Sequence, residues 1–170
     1  AAGRIGILAG GSVRAHNAAA LVRSTGVTEI HSRTPAKADD VRMLHSLVES
    51  VCSNWPVDRS RLLLTGLSDG ATFSLLAGLA PDSPFSHLAP VSGVLHPTNF
   101  VNGNLERASG RRVWQCHGAL DWLFPSALAR LARDELVRAG ADVAYHEIPD
   151  LSHTYPREEN QAILRWFFAA

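Results

Sequence analysis

The residues with the plainest chemical meaning are Gly66-Leu67-Ser68-Asp69-Gly70, a G-x-S-x-G. They stand between a continuous apolar run, Arg61–Thr65, and a stretch of helical spacing, Asp69–Leu79. A serine on a tight strand-to-helix turn sits at strained backbone angles, and a glycine at each end leaves room for the neighbouring backbone. Its hydroxyl then stands proud of the strand, at the helix end where negative charge is favoured. The pattern predicts nucleophilic acyl transfer, with Ser68 attacking, the N–H of Asp69 donating to the oxyanion and Leu67 beside the approach. The motif recurs by chance in many chains, so the strand before it and the helix after it carry the argument.

A serine hydroxyl needs a base, and the base needs an orienting acid. Two later apolar strands run into loops that hold them: Arg112–Cys116 into His117-Gly118-Ala119-Leu120-Asp121, and Asp142–Ile148 into Pro149-Asp150-Leu151-Ser152-His153. Asp121 and His153 therefore fall at the same sheet edge as Ser68, each separated by room for a strand–helix unit. Asp150 is the competing acid, but it shares the short loop of His153. Trp122, Leu123 and Phe124 follow the acid and are candidate pocket walls, or else ordinary core. His117 opens the acid's loop and is expected to shape it; His96 follows the fourth strand and is a candidate pocket residue. His16, His31, His45, His87 and His146 read as satisfied core or surface histidines. No His, Cys, Asp or Glu spacing suits a metal, and no metal or organic cofactor is expected.

These residues need a frame. Apolar runs predict strands over Arg4–Ala9, Thr28–His31, Arg61–Thr65, His87–Val91, Arg112–Cys116 and Asp142–Ile148, with Gly10-Gly11-Ser12 as a turn. Helical spacing predicts Arg14–Arg23, Asp39–Cys52, Asp69–Leu79, Pro125–Ala139 and Arg157–Phe168. Their expected inward faces include Val41, Leu44, Leu47, Val48 and Val51, then Leu128, Leu131, Ala132 and Leu136, then Ile163, Trp166 and Phe167. Ser32–Lys37 and Pro97–Gly110 read as loops. Strands alternating with helices imply an α/β fold of about six mostly parallel strands with helices on both faces. Ligands in such sheets bind beyond the carboxyl ends of the strands.

The chain's 170 residues fit a single domain. Sixteen basic residues balance sixteen acidic ones, which gives neither nucleic acid nor an anionic membrane the clustered positive charge it attracts. No run reaches the ~20 apolar residues of a membrane span. The opening AAGRIGILAGG is too short for a signal peptide, so a cytoplasmic location is expected. Cys52 and Cys116, each in an apolar segment, read as reduced core thiols.

From about residue 39 onward the chain resembles α/β-hydrolase esterases of the polyhydroxybutyrate-depolymerase and feruloyl-esterase-like group. The matching stretches are DDVRMLHSLVESV, VDRSRLLLTGLSDGATFSLLAGLA, WQCHGALDWLFP and IPDLSHTYPR. The resemblance implies Ser68, Asp121 and His153 as a triad and a serine carboxylesterase acting on short-chain acyl esters, without a cap domain. The first 36 residues do not fit that group. Instead, GRIGILAGGSVRAHNAAALVRSTGVTEIHSR resembles part of the CutC-type copper homeostasis proteins. It implies a fused fragment and carries no copper site with it. One domain over 1–170 is expected, with residues 1–36 standing in for the usual first strands. In that arrangement Arg4–Ala9 pairs beside the Ser68 strand, and the N–H of Gly10 or Gly11 supplies a second oxyanion donor. The truncated start implies an exposed sheet edge, through which two copies are expected to form a homodimer. The rival readings are a non-catalytic binding or copper-homeostasis-related protein, and a recombinant relic with a misaligned triad.

Overall fold

The computed structural model describes residues 8–13, 29–32 and 38–169. The expected helix Arg14–Arg23 lies outside the described residues. The chain divides into two compact units, Ala1–Arg59 and Ser60–Ala170.

In the first unit, β1 (Leu8–Val13) pairs in parallel with β2 (Glu29–Ser32), and α1 (Ala38–Asn54) follows. Two expectations are corrected here. Gly10 and Gly11 lie inside β1 rather than in a turn after it, and β1 pairs with β2 in a separate two-stranded sheet rather than with the Ser68 strand. The register between the strands slips between Ala9 and Val13. Helix α1 half-buries Val41, Leu44, Leu47, Val48 and Val51, while Arg42, Ser46, Glu49 and Ser50 are exposed.

The second unit is built on one parallel sheet of four strands: β3 (Leu63–Leu67), β4 (His87–Val91), β5 (Arg112–Gly118) and β6 (Asp142–Ile148), adjacent in that order. The expected six-strand sheet is thus a four-stranded one, with the first two strands in a sheet of their own. Between the strands lie α2 (Asp69–Gly78), the single turn α3 (Thr98–Val101), a 3₁₀ turn (Asn104–Ala108) and α4 (Ser126–Arg138); α5 (Glu159–Phe168) closes the unit. Every residue of β4 is buried, as a central parallel strand requires. On one face Ala89, Val91, Trp114, Cys116 and Ile163 form a core cluster with Leu67 and Trp166 packed against it. On the other, Leu88 lies so close to Gly78 that no side chain fits there, and Gln115 donates from Nε2 to the Ala129 carbonyl at 2.7 Å. Helices α2 and α4 therefore cover the face opposite α5. Burial pushes the Cys116 thiol up to about 12, consistent with an inert core thiol; Cys52 is half-buried and also free.

Two more expectations change. Leu128 and Leu131 were placed inward, yet both are exposed, and α4 buries Ala129, Ala132 and Leu136 instead. The Pro97–Gly110 stretch is not irregular throughout. It holds α3 and the 3₁₀ turn, pinned by the buried Asn99, whose Oδ1 accepts from Asn104 Nδ2 at 3.0 Å. Arg107 joins in, donating to Asn104 Oδ1 and to the Leu79 carbonyl.

At the far end of the sheet, Arg61 donates to the Phe167 carbonyl and Arg112 to that of Ala169. They satisfy carbonyls in the last turn of α5 and just beyond its end, which have no helical partners. Arg112 also donates to Nε2 of the buried His87, and arginine has no acceptor, so the proton of this imidazole sits on Nδ1 and donates to Ser86 Oγ. Burial first, then the charges of Arg112 and Arg61, lower the His87 pKa from its ordinary 6.5. Below that value the unfolded chain binds a proton that the folded chain does not, so stability is full above pH 6.5 and falls as pH drops toward the depressed folded value. The urea midpoint is expected to decline between about pH 6.5 and 5, before carboxylates titrate. His87→Gln should flatten that slope; an unchanged slope would show that His87 is not its source.

Candidate active site

β3 delivers its last residue, Leu67, directly into Ser68, and α2 starts at Asp69. Ser68 has φ 61° and ψ −123°, a conformation that costs a side-chain-bearing residue about 1–3 kcal/mol. The surroundings enforce it. The Ser68 N–H donates to the Val91 carbonyl of β4, and its own carbonyl accepts from the N–H groups of Ala71 and Thr72, all at 3.0 Å. Gly66 and Gly70 pass so closely that a Cβ on Gly66 would overlap the Gly70 carbonyl and lie 2.9 Å from the Ala71 nitrogen. The glycine that opens the motif is thus a steric requirement of the turn.

The partners arrive from the next strand ends. His153 Nε2 lies 2.8 Å from Ser68 Oγ, and His153 Nδ1 lies 2.8 Å from Asp121 Oδ2. The other Asp121 oxygen accepts the N–H groups of Leu123 at 3.0 Å and Phe124 at 2.8 Å. Burial would raise this carboxyl, but the Phe124 N–H, the His153 contact and the Leu123 N–H together hold it below its ordinary value. The base and acid loops are laced together. Ala119 N–H donates to Ile148 O and Leu120 N–H to Leu151 O, each at 2.9 Å. With Asp121 charged and accepting, His153 carries its proton on Nδ1 and turns a lone pair toward Ser68.

Ser68, Asp121 and His153 are thus brought together. Asp150 is exposed, and Asp121 rather than Asp150 bonds His153. Asp69 is exposed at the first turn of α2. Leu67 packs against the core cluster. Trp122 is 77% and Leu123 48% exposed, so neither is core, while the Phe124 ring stands edge-on to His153 at 5.5 Å. Gly10 and Gly11 belong to the other unit. His96 accepts the Thr98 N–H at the start of α3, and His146 stacks on Trp114. Sequence reasoning gave His117 a shaping role but not its contact with the acid, which is 3.4 Å. It missed Ser92 altogether: at the end of β4 this buried residue also has positive φ, 50°. The only sequence signal there was the glycine that follows it. Among the described residues no group of three His, Cys, Asp or Glu is placed to hold a metal ion, and no helix is long and apolar enough to cross a membrane.

Comparisons with known proteins bear on the family and the fold. Residues 1–36 match the model of the CutC family, a fragment only. Mouse (Mus musculus) lysophospholipase-like protein 1 is 25% identical over 113 residues, 65% of this chain and 47% of that protein. Acyl-protein thioesterase 1 of Gibberella zeae is 27% identical over 121 residues, 69% of this chain and 51% of that one. The chain therefore spans about half the length of these relatives. The crystal structure of esterase PE8 superposes with a TM-score of 0.65 at 23% identity, covering 75% of this chain and 60% of that one, which shows the α/β-hydrolase fold. The Phospholipase/Carboxylesterase family model matches residues 27–168, and it does not single out the depolymerase and feruloyl-esterase-like group. The chain belongs to the phospholipase/carboxylesterase family.

Proposed function

We propose that this protein is a serine carboxylesterase that hydrolyses small, short-chain acyl esters. The observation that carries this reading is the unbroken series Ser68–His153–Asp121, two contacts of 2.8 Å hung on a strained strand-to-helix turn. His153 Nε2 takes the Ser68 proton as Oγ bonds to the ester carbonyl carbon. The resulting imidazolium is held by Asp121, whose carboxylate stays ionised. The tetrahedral oxyanion rests on the Asp69 N–H at the start of α2, where the helix favours negative charge. The imidazolium returns its proton to the leaving alkoxide, which departs as the alcohol. Water, deprotonated by His153, then attacks the acyl-enzyme and releases the acid, with the proton passing back to Ser68.

The relatives whose names read acyl-protein thioesterase and lysophospholipase-like protein extend the candidate substrates to thioesters and lysophospholipid esters, both open to the same acyl-enzyme. The decisive experiment is organophosphate trapping. A stoichiometric adduct on the peptide bearing Ser68, together with a p-nitrophenyl acetate burst that disappears after labelling, is the expected result. No adduct and no burst would return the chain to the binding-protein or relic readings.

A further inference from the structure

His117 is the last but one residue of β5 and has no solvent exposure. Its Nε2 lies 2.8 Å from the Phe124 carbonyl and 3.4 Å from Asp121 Oδ2, while no partner reaches its Nδ1. Both neighbours of Nε2 are acceptors, so the ring proton sits there and is shared between them. Phe124 is in turn bound on three sides. Its carbonyl accepts from His117, its N–H donates to Asp121 Oδ1, and its ring stands against His153. His117 therefore reaches the proposed base twice, through the carboxylate and through the aromatic wall. The charged and titratable groups around it are Asp121 on its own loop, Glu147 opposite it on β6, and His153 beyond Asp121. Arg130 pairs with Glu147 and offsets its charge.

The geometry points to His117 as a positioning residue of the proposed esterase site: its Nε2–H fixes the Phe124 carbonyl and the Asp121 carboxylate, and so sets where His153 stands relative to Ser68. A buried donor that serves two acceptors of one loop holds that loop in a single arrangement, and removing it leaves both acceptors underpaired. His117 does not touch the reacting atoms, so its effect belongs in kcat rather than KM. This inference rests on the esterase reading, and its test includes a readout that needs no turnover.

His117→Gln keeps an amide N–H near the place of Nε2–H, whereas the shorter His117→Asn brings its N–H only to the place of Nδ1, and His117→Leu removes the donor. All three are compared with wild type by active-site titration, kcat and KM on p-nitrophenyl acetate, and the downfield NMR resonance of the proton between His153 Nδ1 and Asp121. The expected result is a kcat, per titrated site, lowered at least tenfold in the Asn and Leu variants with KM within twofold, and recovered to within about threefold by Gln. The downfield proton should persist in Gln and be broadened or lost in Asn and Leu. If Leu fails to fold, the Gln and Asn pair still decides, because both are polar and differ in reach. Equal losses in Gln and Asn, or a resonance unchanged in every variant, would overturn the assignment. If wild type itself shows no turnover, the esterase reading fails, and the resonance pattern alone then decides whether His117 positions His153.

Discussion

Ser68→Ala, His153→Ala and the double variant should all lose about the same turnover, 10⁵–10⁶-fold in kcat, because groups acting as one nucleophilic unit fail together. Ser68 Oγ and His153 Nε2 are 2.8 Å apart and, in the proposed mechanism, serve a single proton transfer. Without the imidazole, the hydroxyl attacks at the rate of an ordinary alcohol. Without the hydroxyl, the imidazole has no nucleophile to activate. The second deletion thus removes a partner that is already idle. Asp121→Asn should cost somewhat less, about 10⁴-fold, since an amide nitrogen in place of Oδ2 would face the Nδ1–H and favour the wrong imidazole tautomer. The measurement is kcat for the three single variants and the double on one p-nitrophenyl ester, normalised to folded protein. Multiplicative losses in the double variant would mean that the two residues act independently, and the triad mechanism would have to be abandoned.

Gly118→Ala is expected to damage both stability and turnover with a single added methyl. Gly118 ends β5, and the loop after β6 crosses directly over it. An added Cβ would overlap the Leu151 carbonyl oxygen and lie 2.7 Å from the Ser152 oxygen and 2.8 Å from the Leu151 carbon. All three are backbone atoms, so no side-chain rotation relieves the clash. Overpacking of this kind costs about 1–3 kcal/mol, and more where backbone must move. The backbone that would have to move is the segment leading into His153, already tied to the acid loop by Leu120 N–H to Leu151 O. Displacing a base by an ångström costs about 10²-fold in rate. A lowered urea midpoint together with at least a 10²-fold loss in kcat is therefore expected. A variant with wild-type midpoint and turnover would mean that the two loops are not packed as described.

Much of the site was legible because each of its three parts obeys a local rule. Ser68 stands in a glycine-flanked motif whose first glycine, Gly66, the turn requires, and a run of leucines fixes the strand before it. Asp121 and His153 each follow a strand whose apolar run is plain, and chain order supplied the pairing. His87–Val91 and Asp142–Ile148 coincide with β4 and β6 for the same reason. What failed was information that lives in packing. Helix α4 carries apolar residues on two faces, so periodicity predicts a helix without its phase. The sheet accepts the small Ala129 and Ala132, which lets Gln115 reach the Ala129 carbonyl, and leaves Leu128 and Leu131 outside. The 98–108 turns have no apolar period because Asn99, Asn104 and Arg107 hold them by polar side-chain bonds. The partner of β1 depends on long-range pairing that no local pattern encodes, and two glycines that read as a turn lie inside a strand. The contact of His117 with Asp121 needed the loop to close upon it.

The four strands of the second unit lie side by side in the order in which the chain emerges during synthesis. No strand has to be inserted between two earlier ones, so each can settle on an edge that is already present as the chain lengthens. The reactive hydroxyl arrives with the first of these strands, the acid after the third and the imidazole after the fourth. A nascent chain paused before His153 therefore holds nothing sharper than an ordinary alcohol. Under the proposed mechanism, strand order thus acts as a safety catch in time: the growing polypeptide would gain the power to cut acyl bonds only when this sheet is finished.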